Sequence, residues 1–230
     1  MSRIDPFQDV YARASPAFGD EPSPEVAAVL EQCDLRGRGL DAGAGLGRHA
    51  IAMARRGLQT EAIDVSETAI TRLRERAGKA GLGERIRAAC ADLRTCELGP
   101  RRYALIVAAT VLDHLPEPDG RVVLARLAEA LAPGGVLFVE VHTTGDPGFR
   151  GAGPASECAA AIEHYYRPGQ LLDEARRRLR ILRYEERAEW DRTHGPAHGH
   201  AKASLLAAYA RGTPRFFGLP PRGPLRPAAE

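Results

Sequence analysis

Apolar and polar positions along this chain switch repeatedly between the two-residue period of a strand and the longer period of a helix. Ser23-Pro24-Glu25 can start a helix, with serine as cap and proline in the first turn, and EVAAVLEQ then carries its apolar residues at helical spacing. GRGLDAGAGLGRHAIAMARRG reads as a short strand ending near Asp41, a glycine loop, and a helix through about Arg56 that Gly57 stops. LQTEAID predicts a strand ending at Asp64, Ser66 caps the helix SETAITRLRERAGKA, and RIRAACAD predicts a third strand ending at Asp92. YALIVAAT is apolar throughout, as a strand buried on both faces of a parallel sheet must be. A helix from about Asp119 to Ala132, stopped by Pro133-Gly134-Gly135, leads into a fifth strand, VLFVEVHT. Strands alternating with amphipathic helices imply right-handed crossovers and an α/β, doubly wound, Rossmann-like sheet.

The rhythm changes after Thr144. GDPGFRGAGP is a glycine- and proline-rich loop of the kind that covers a site. YYRPGQLLDEARRR predicts a helix, and RILRYEERAEW and AKASLLAAYAR predict strands that can pair antiparallel, joined by the histidine-rich connection around THGPAHGHAKA. Residues 212–230 are proline-rich and aperiodic, a tail expected to be disordered. The expected organisation is therefore an N-terminal segment at 1–23, a domain at 24–211 and that tail.

At 230 residues the chain suits one large domain plus a tail, and its 44% hydrophobic and 27% charged composition is that of a soluble globular protein. No apolar run reaches membrane-spanning length, and MSRIDPFQDV lacks the hydrophobic core of a signal peptide, so a cytoplasmic location is expected and no membrane partner. The net charge of +2, with Lys79 and Lys202 the only lysines, makes no case for nucleic-acid binding. The basic run ARRRLR reads as a solvated helix face. Cys33, Cys90, Cys96 and Cys158 show neither CxxC pairing nor regular spacing, which argues for reduced thiols and against a zinc knuckle or a disulfide framework.

Gly43, Gly45 and Gly47 lie between a strand and a helix, where glycine permits a sharp turn and close approach to the main chain. A dinucleotide fingerprint requires G-x-G-x-x-G, but Arg48 stands at the last glycine position, and the spacing is G-x-G-x-G with Asp41 just before it. S-adenosylmethionine has no phosphate and presents an amino-acid moiety and a sulfonium, which suits an acidic residue near the loop. Asp64 is placed to accept hydrogen bonds from ribose hydroxyls, and Asp92 from an adenine amine. Carboxylates at successive strand ends fall where open sheets bind ligands.

LDAGAGLGRHA, AIDVS, CADL, AATVLDHL and LAPGGVLFVEVH, in this order from about Pro24 to Thr144, resemble the motifs of the class I S-adenosylmethionine-dependent methyltransferases. FGDEPSP, HYYRPGQLLDEA, YEERAEWDRTHG and ASLLA are similar to the tellurite-resistance (TehB-like) branch. The resemblance implies a seven-stranded sheet of order 3-2-1-4-5-7-6 with the last strand antiparallel, and S-adenosylmethionine as cofactor. It adds Val65 and Leu93, which follow the two strand-end aspartates, to the cofactor-binding set. It also implies a substrate-handling role for histidine and arginine near the last strands, for which Arg192 and His194 are the local candidates, although the family's His-Arg-Thr run reads Asp191-Arg192-Thr193 here.

Methyl transfer from a sulfonium is an in-line displacement, so alignment and water exclusion are the main requirements, and a base is needed only for a protonated acceptor. AATVLDHLP lacks the Asn/Asp-Pro-Pro-aromatic signature of enzymes that methylate nucleic-acid amines. Thr110 is placed to line the site beside the sulfonium. Tyr11 and Phe18 can form a lid or simply pack on the domain. His142, Phe149 and Arg150 are candidates for the acceptor side. His194, His198 and His200 can serve acceptor binding or base catalysis, form an open three-histidine metal site, or make a turn with no chemical role. The expected function is methylation of a small molecule, preferably a soft or anionic nucleophile such as a thiol, a selenol or a tellurium or selenium oxyanion. O- or N-methylation of a small metabolite and a silent cofactor-binding module are the alternatives.

Overall fold

The computed structural model describes residues 7, 11, 19–151, 161–191 and 198–209. Its strands are β1 (Arg38–Ala42), β2 (Gln59–Asp64), β3 (Ile86–Cys90), β4 (Tyr103–Ala109), β5 (Leu131–His142), β6 (Leu179–Asp191) and β7 (His198–Tyr209). They form one sheet in the order β3-β2-β1-β4-β5-β7-β6, parallel from β3 to β5, with β7 antiparallel to both of its neighbours. This is the doubly wound sheet that the resemblance implies. The helices are α1 (Pro24–Gln32), α2 (Arg48–Arg55), α3 (Glu67–Lys79), α4 (Glu117–Ala130), α5 (Pro147–Arg150) and α6 (Gln170–Ala175).

The uninterrupted apolar run of β4 serves two cores. Ile106 and Ala108 face the core shared with Val123, Leu124 and Leu127 of α4, while Leu105 and Val107 face the one shared with Val26, Val29 and Leu30 of α1. Two-residue alternation sends neighbours to opposite faces, so a strand covered on both sides cannot show a polar face. Each large side chain buried this way contributes about 1.5–3 kcal/mol against chain entropy.

Three expectations are corrected. Pro133-Gly134-Gly135 does not separate α4 from β5: the strand begins at Leu131, and the register moves from Tyr103↔Leu131 to Leu105↔Val136 across this tripeptide. A Cβ at Gly135 would stand 2.8 Å from the Tyr103 carbonyl, so glycine allows the extra residues to bulge out against β4. The basic run ARRRLR is not on a helix, because α6 ends at Ala175 and Arg180 already belongs to β6. His198, Gly199 and His200 are strand residues, since the ladder with β6 extends to Asp191↔His198. Most of the expected N-terminal lid, including Phe18, lies outside the described residues, as do Cys158, Arg192, His194 and the proline-rich tail.

A buried ion network joins the antiparallel part of the sheet to α1. Arg187 of β6 places Nη1 3.0 Å from Glu25 Oε1 and Nη2 3.0 Å from Glu140 Oε2, and donates to Ser204 Oγ at 3.1 Å. Lys202 Nζ stands 3.5 Å from the other Glu140 oxygen. Removing one partner of such a group leaves buried charge uncompensated. Arg187→Ala is expected to lower unfolding free energy by about 3 kcal/mol, measured by urea denaturation; an unchanged midpoint would show that the network contributes little.

Candidate active site

Gly43, Gly45 and Gly47 all adopt left-handed backbone, at φ of 72°, 51° and 81°. A Cβ at Gly43 would fall 2.5 Å from Val111 Cγ2, and one at Gly47 would fall 2.6 Å from Leu73 Cγ. Two of the three glycines therefore let the loop settle onto the segment after β4 and onto α3. Gly45 faces Tyr11, whose hydroxyl would stand 3.0 Å from an added Cβ. Tyr11 is buried with Leu46 and Ala69 and stacks on Phe7 at 5.7 Å, so these two described residues of the N-terminal segment cover the glycine loop.

The strand-end carboxylates take distinct posts. Asp41 is buried, and its Oδ2 accepts the Ala50 amide of α2 at 2.8 Å. The Ser23 amide donates to His49 Nε2 at 3.2 Å, which leaves the imidazole proton on Nδ1, 3.9 Å from Asp41 Oδ1. Burial, with a smaller contribution from Asp64, raises the Asp41 carboxyl to about 7 against the opposing pull of the Ala50 amide and Arg48. Burial, then Arg48, pushes His49 well below its usual range, so the ring is neutral.

Asp64 holds the loop from the neighbouring strand, accepting the Gly45 amide on Oδ2 at 2.8 Å and the Ser66 amide on Oδ1 at 2.9 Å. A carboxylate oxygen has more than one acceptor position, so Asp64 can still receive ribose hydroxyls. Asp92 is engaged by Arg94, whose Nε lies 3.0 Å from both carboxylate oxygens and whose Nη1 reaches Asp119 Oδ2 at 3.0 Å. The hydrogen bonds to Asp92, then to Asp119, raise the guanidinium pKa. Sequence reasoning missed Arg94, although the D-x-R spacing was visible. Asp92 remains partly exposed and can accept an adenine amine alongside the guanidinium. Val65 is 58% exposed beside Asp64, and Leu93 is buried. The donor set thus fits S-adenosylmethionine: a glycine loop with the accepting carboxylates of Asp64 and Asp92 beside it.

Thr110 follows β4 at φ 50°, a conformation that β-branched residues rarely adopt. Its amide donates to the Glu140 carbonyl at 2.8 Å, and the following Val111 packs on Gly43. The same edge carries a second polar group. Asp113 is wholly buried, and its Oδ2 accepts both the His142 amide at 3.0 Å and His142 Nδ1 at 2.5 Å. Burial works to raise the Asp113 carboxyl, but His114 and His142 outweigh it and hold it near about 2. Asp146 accepts the Gly148 amide at 2.8 Å and the Ala201 amide at 3.0 Å, and stands 3.3 Å from His200 Nδ1. Burial opposes, and His200 with these amides and His142 produces, a lowered Asp146 pKa.

Of the expected acceptor-side residues, the fold brings His142 and His200 together, with rings 5.1 Å apart. Phe149 is 47% exposed and rests on Tyr165 at 5.3 Å. His114 packs: its Nδ1 lies 2.8 Å from the Ala161 carbonyl and its ring meets Phe7 edge-on. The side chains of Arg150 and His198 lie outside the described residues, as do Arg192 and His194. Asp113 and Asp146 were missed, because Asp-Pro and Asp-His dipeptides read as ordinary caps and turns until the fold shows what they face.

The sheet order, with its antiparallel β7, is that of the Rossmann-like methyltransferase fold. Residues 40–135 match the family described as "Methyltransferase domain". The chain is 31% identical over 139 residues to the carboxy-S-adenosyl-L-methionine synthase of Chromohalobacter salexigens, covering 58% of this chain and 50% of that protein. It is 31% identical over 100 residues to the ubiquinone biosynthesis O-methyltransferase of Idiomarina loihiensis, covering 43% of this chain and 40% of that one. It thus spans half or less of the length of these curated relatives. Among solved structures, TehB from Haemophilus influenzae superposes with a TM-score of 0.65 at 19% identity, over 88% of this chain and 65% of that chain. The N-methyltransferase NodS from Bradyrhizobium japonicum WM9, in complex with S-adenosyl-L-homocysteine, superposes at 0.64 and 18% identity, over 90% and 99%. Residues 40–135 thus match a methyltransferase domain, and the fold is similar to that of TehB and NodS.

The raised Asp41 carboxyl has a thermodynamic consequence. Between about pH 4 and about 7 the folded state holds a proton that the unfolded chain releases, so this contribution to stability falls as pH rises through that window. Asp41→Asn is expected to remove that part of the slope. Unfolding free energies measured at about pH 5 and about pH 8 should differ by about 1–4 kcal/mol less in the variant, and equal slopes would show that Asp41 titrates normally.

Proposed function

We propose that the protein transfers the methyl group of S-adenosylmethionine to a small molecule held over the C-terminal ends of β4, β5 and β7. The observation that carries this reading is the contact of Gly43 with Val111, which sets the cofactor loop directly beside the strand end that leads to Asp113. Bound at that loop, S-adenosylmethionine supplies an electrophilic methyl on a sulfonium. Asp64 would accept from its ribose and Asp92 from its adenine, while Tyr11 over Gly45 limits entry of water. Thr110, held by the Glu140 carbonyl, would line the passage between cofactor and acceptor.

The acceptor's proton, where it has one, would pass to the buried polar centre of Asp113, His142, Asp146 and His200. The preferred acceptor is a soft or anionic nucleophile, a thiol, a selenol or a tellurium or selenium oxyanion, because such groups react near neutral pH once positioned. The resemblance of FGDEPSP, HYYRPGQLLDEA and YEERAEWDRTHG to the tellurite-resistance branch supports that preference. Arg192 and His194 are assigned to hold the acceptor, since β6 ends and β7 begins at this same edge. Phe149 and Arg150 are assigned to its selection. A second reading, O- or N-methylation, is favoured by the Asp113–His142 pair, which suits an acceptor that must lose a proton. Among the described residues no helix is long and apolar enough to cross a membrane.

The reading is tested by S-adenosylhomocysteine release from the full chain with thiols, selenols, tellurite, catechols and amines. Turnover on soft acceptors is expected. Turnover on catechols or amines alone selects the second reading, and cofactor binding without turnover on any acceptor points to a silent module. Asp113→Asn is expected to lower kcat by about 100-fold or more while leaving S-adenosylhomocysteine affinity unchanged. Asp64→Ala is expected to weaken that affinity by about 10–100-fold, read by calorimetry; an unchanged dissociation constant would remove Asp64 from the cofactor site.

A further inference from the structure

Three buried side chains from three chain segments converge at the end of β5. His142 is the last residue of that strand, Asp146 caps α5, and His200 is the third residue of β7. One ligand-type atom of each lies within 4.8 Å of the other two. The geometry points to a divalent transition-metal site with His142, Asp146 and His200 as its protein ligands and its remaining positions open to the methyl acceptor. This inference rests on the reading of the edge as the acceptor site, and shares only His200 with the His194, His198 and His200 grouping that the sequence offers as one alternative.

Two imidazoles and one carboxylate form a donor set suited to zinc, iron, manganese or cobalt, and three protein ligands leave room for a water or substrate. Asp113 supplies the partner that a ligating imidazole needs. At 2.5 Å from His142 Nδ1 it fixes the proton on that nitrogen and leaves Nε2 with its lone pair for a metal. The 3.3 Å between His200 Nδ1 and Asp146 Oδ2 is long for a charge-assisted hydrogen bond. It is close to the ~3.4 Å that separates two ligands each about 2.1 Å from one tetrahedral ion.

The charge balance points the same way. The centre holds two buried carboxylates, and Asp113 Oδ1 has no hydrogen-bond donor among the described residues. Buried anionic oxygen without compensation is costly, and a divalent cation beside it removes much of that cost. A cation with open positions would also bind an oxyanion or thiolate directly and promote loss of a proton from a hydroxyl or thiol. That is the work the acceptor site requires.

The test uses the chelator-stripped full chain titrated with Co²⁺, followed by its visible d–d absorption, with Zn²⁺ competition by calorimetry. One ion per chain is expected, with the absorption of a low-coordinate nitrogen and oxygen site and a higher Tm in the presence of metal. Asp146→Asn and His200→Gln, their folding checked by urea denaturation, should each weaken binding by at least about 100-fold, and Asp113→Asn by about 10–100-fold. Asp146→Asn keeps all seven histidines, so its loss of binding separates the site from adsorption to the 193–200 segment. Binding that is equal in these variants and the parent, or absent from all of them, overturns the site. Because metal binding is read without turnover, the two readings fail separately: full turnover by a chain that binds no metal sinks only the metal site. A Co²⁺-loaded chain that methylates nothing sinks only the assigned function.

Discussion

The C-terminal edge of this sheet depends on one repeated interaction, a buried carboxylate accepting backbone amides from the loop, helix start or strand beside it. Asp41 takes the Ala50 amide, Asp64 those of Gly45 and Ser66, Asp113 that of His142, and Asp146 those of Gly148 and Ala201. At the C-terminal ends of parallel strands the chain leaves the ladder, and its amides need new acceptors away from water. A short carboxylate side chain can serve two of them at once. The loops are thereby held in conformations that their own sequences would not impose.

The glycine loop and the polar centre around His142 are mechanically joined by this arrangement. Val111 presses on Gly43, Thr110 in left-handed backbone is tied to the Glu140 carbonyl, and Asp113 reaches across to His142. Strain at a β-branched residue costs on the order of 1–3 kcal/mol and persists only where its surroundings impose it. Here they do, since the residue before Val111 must turn sharply for the glycine loop and the polar centre to share one wall.

The antiparallel end of the sheet follows a different logic. Glu140 and His142 alternate with Val139 and Val141 along β5, and Lys202 and Ser204 oppose them on β7. Cross-strand partners share a face, so one face of this region is polar although it is buried. Arg187 neutralises the part near α1, and the part at the strand end gathers His142, His200 and two aspartates. Burial of so much polarity in an otherwise apolar core carries a stability cost.

What the sequence determined by itself was whatever is local or periodic. The alternation of strands and helices was legible because each element must bury one face, and the glycine loop because left-handed backbone excludes side chains. The strand-end aspartates were legible as residues, since Asp41, Asp64 and Asp92 stand where each strand pattern stops. Their duties were not, because nothing in the pattern shows which amides each would accept. The boundaries at Leu131 and His198 were also hidden, since proline, glycine and histidine read as connection until a neighbouring strand supplies a register. Only tertiary structure could bring His142, Asp146 and His200 together. The last is 58 positions from the first, and it meets the others because an antiparallel strand inserted between β5 and β6 returns the chain to the edge it had left.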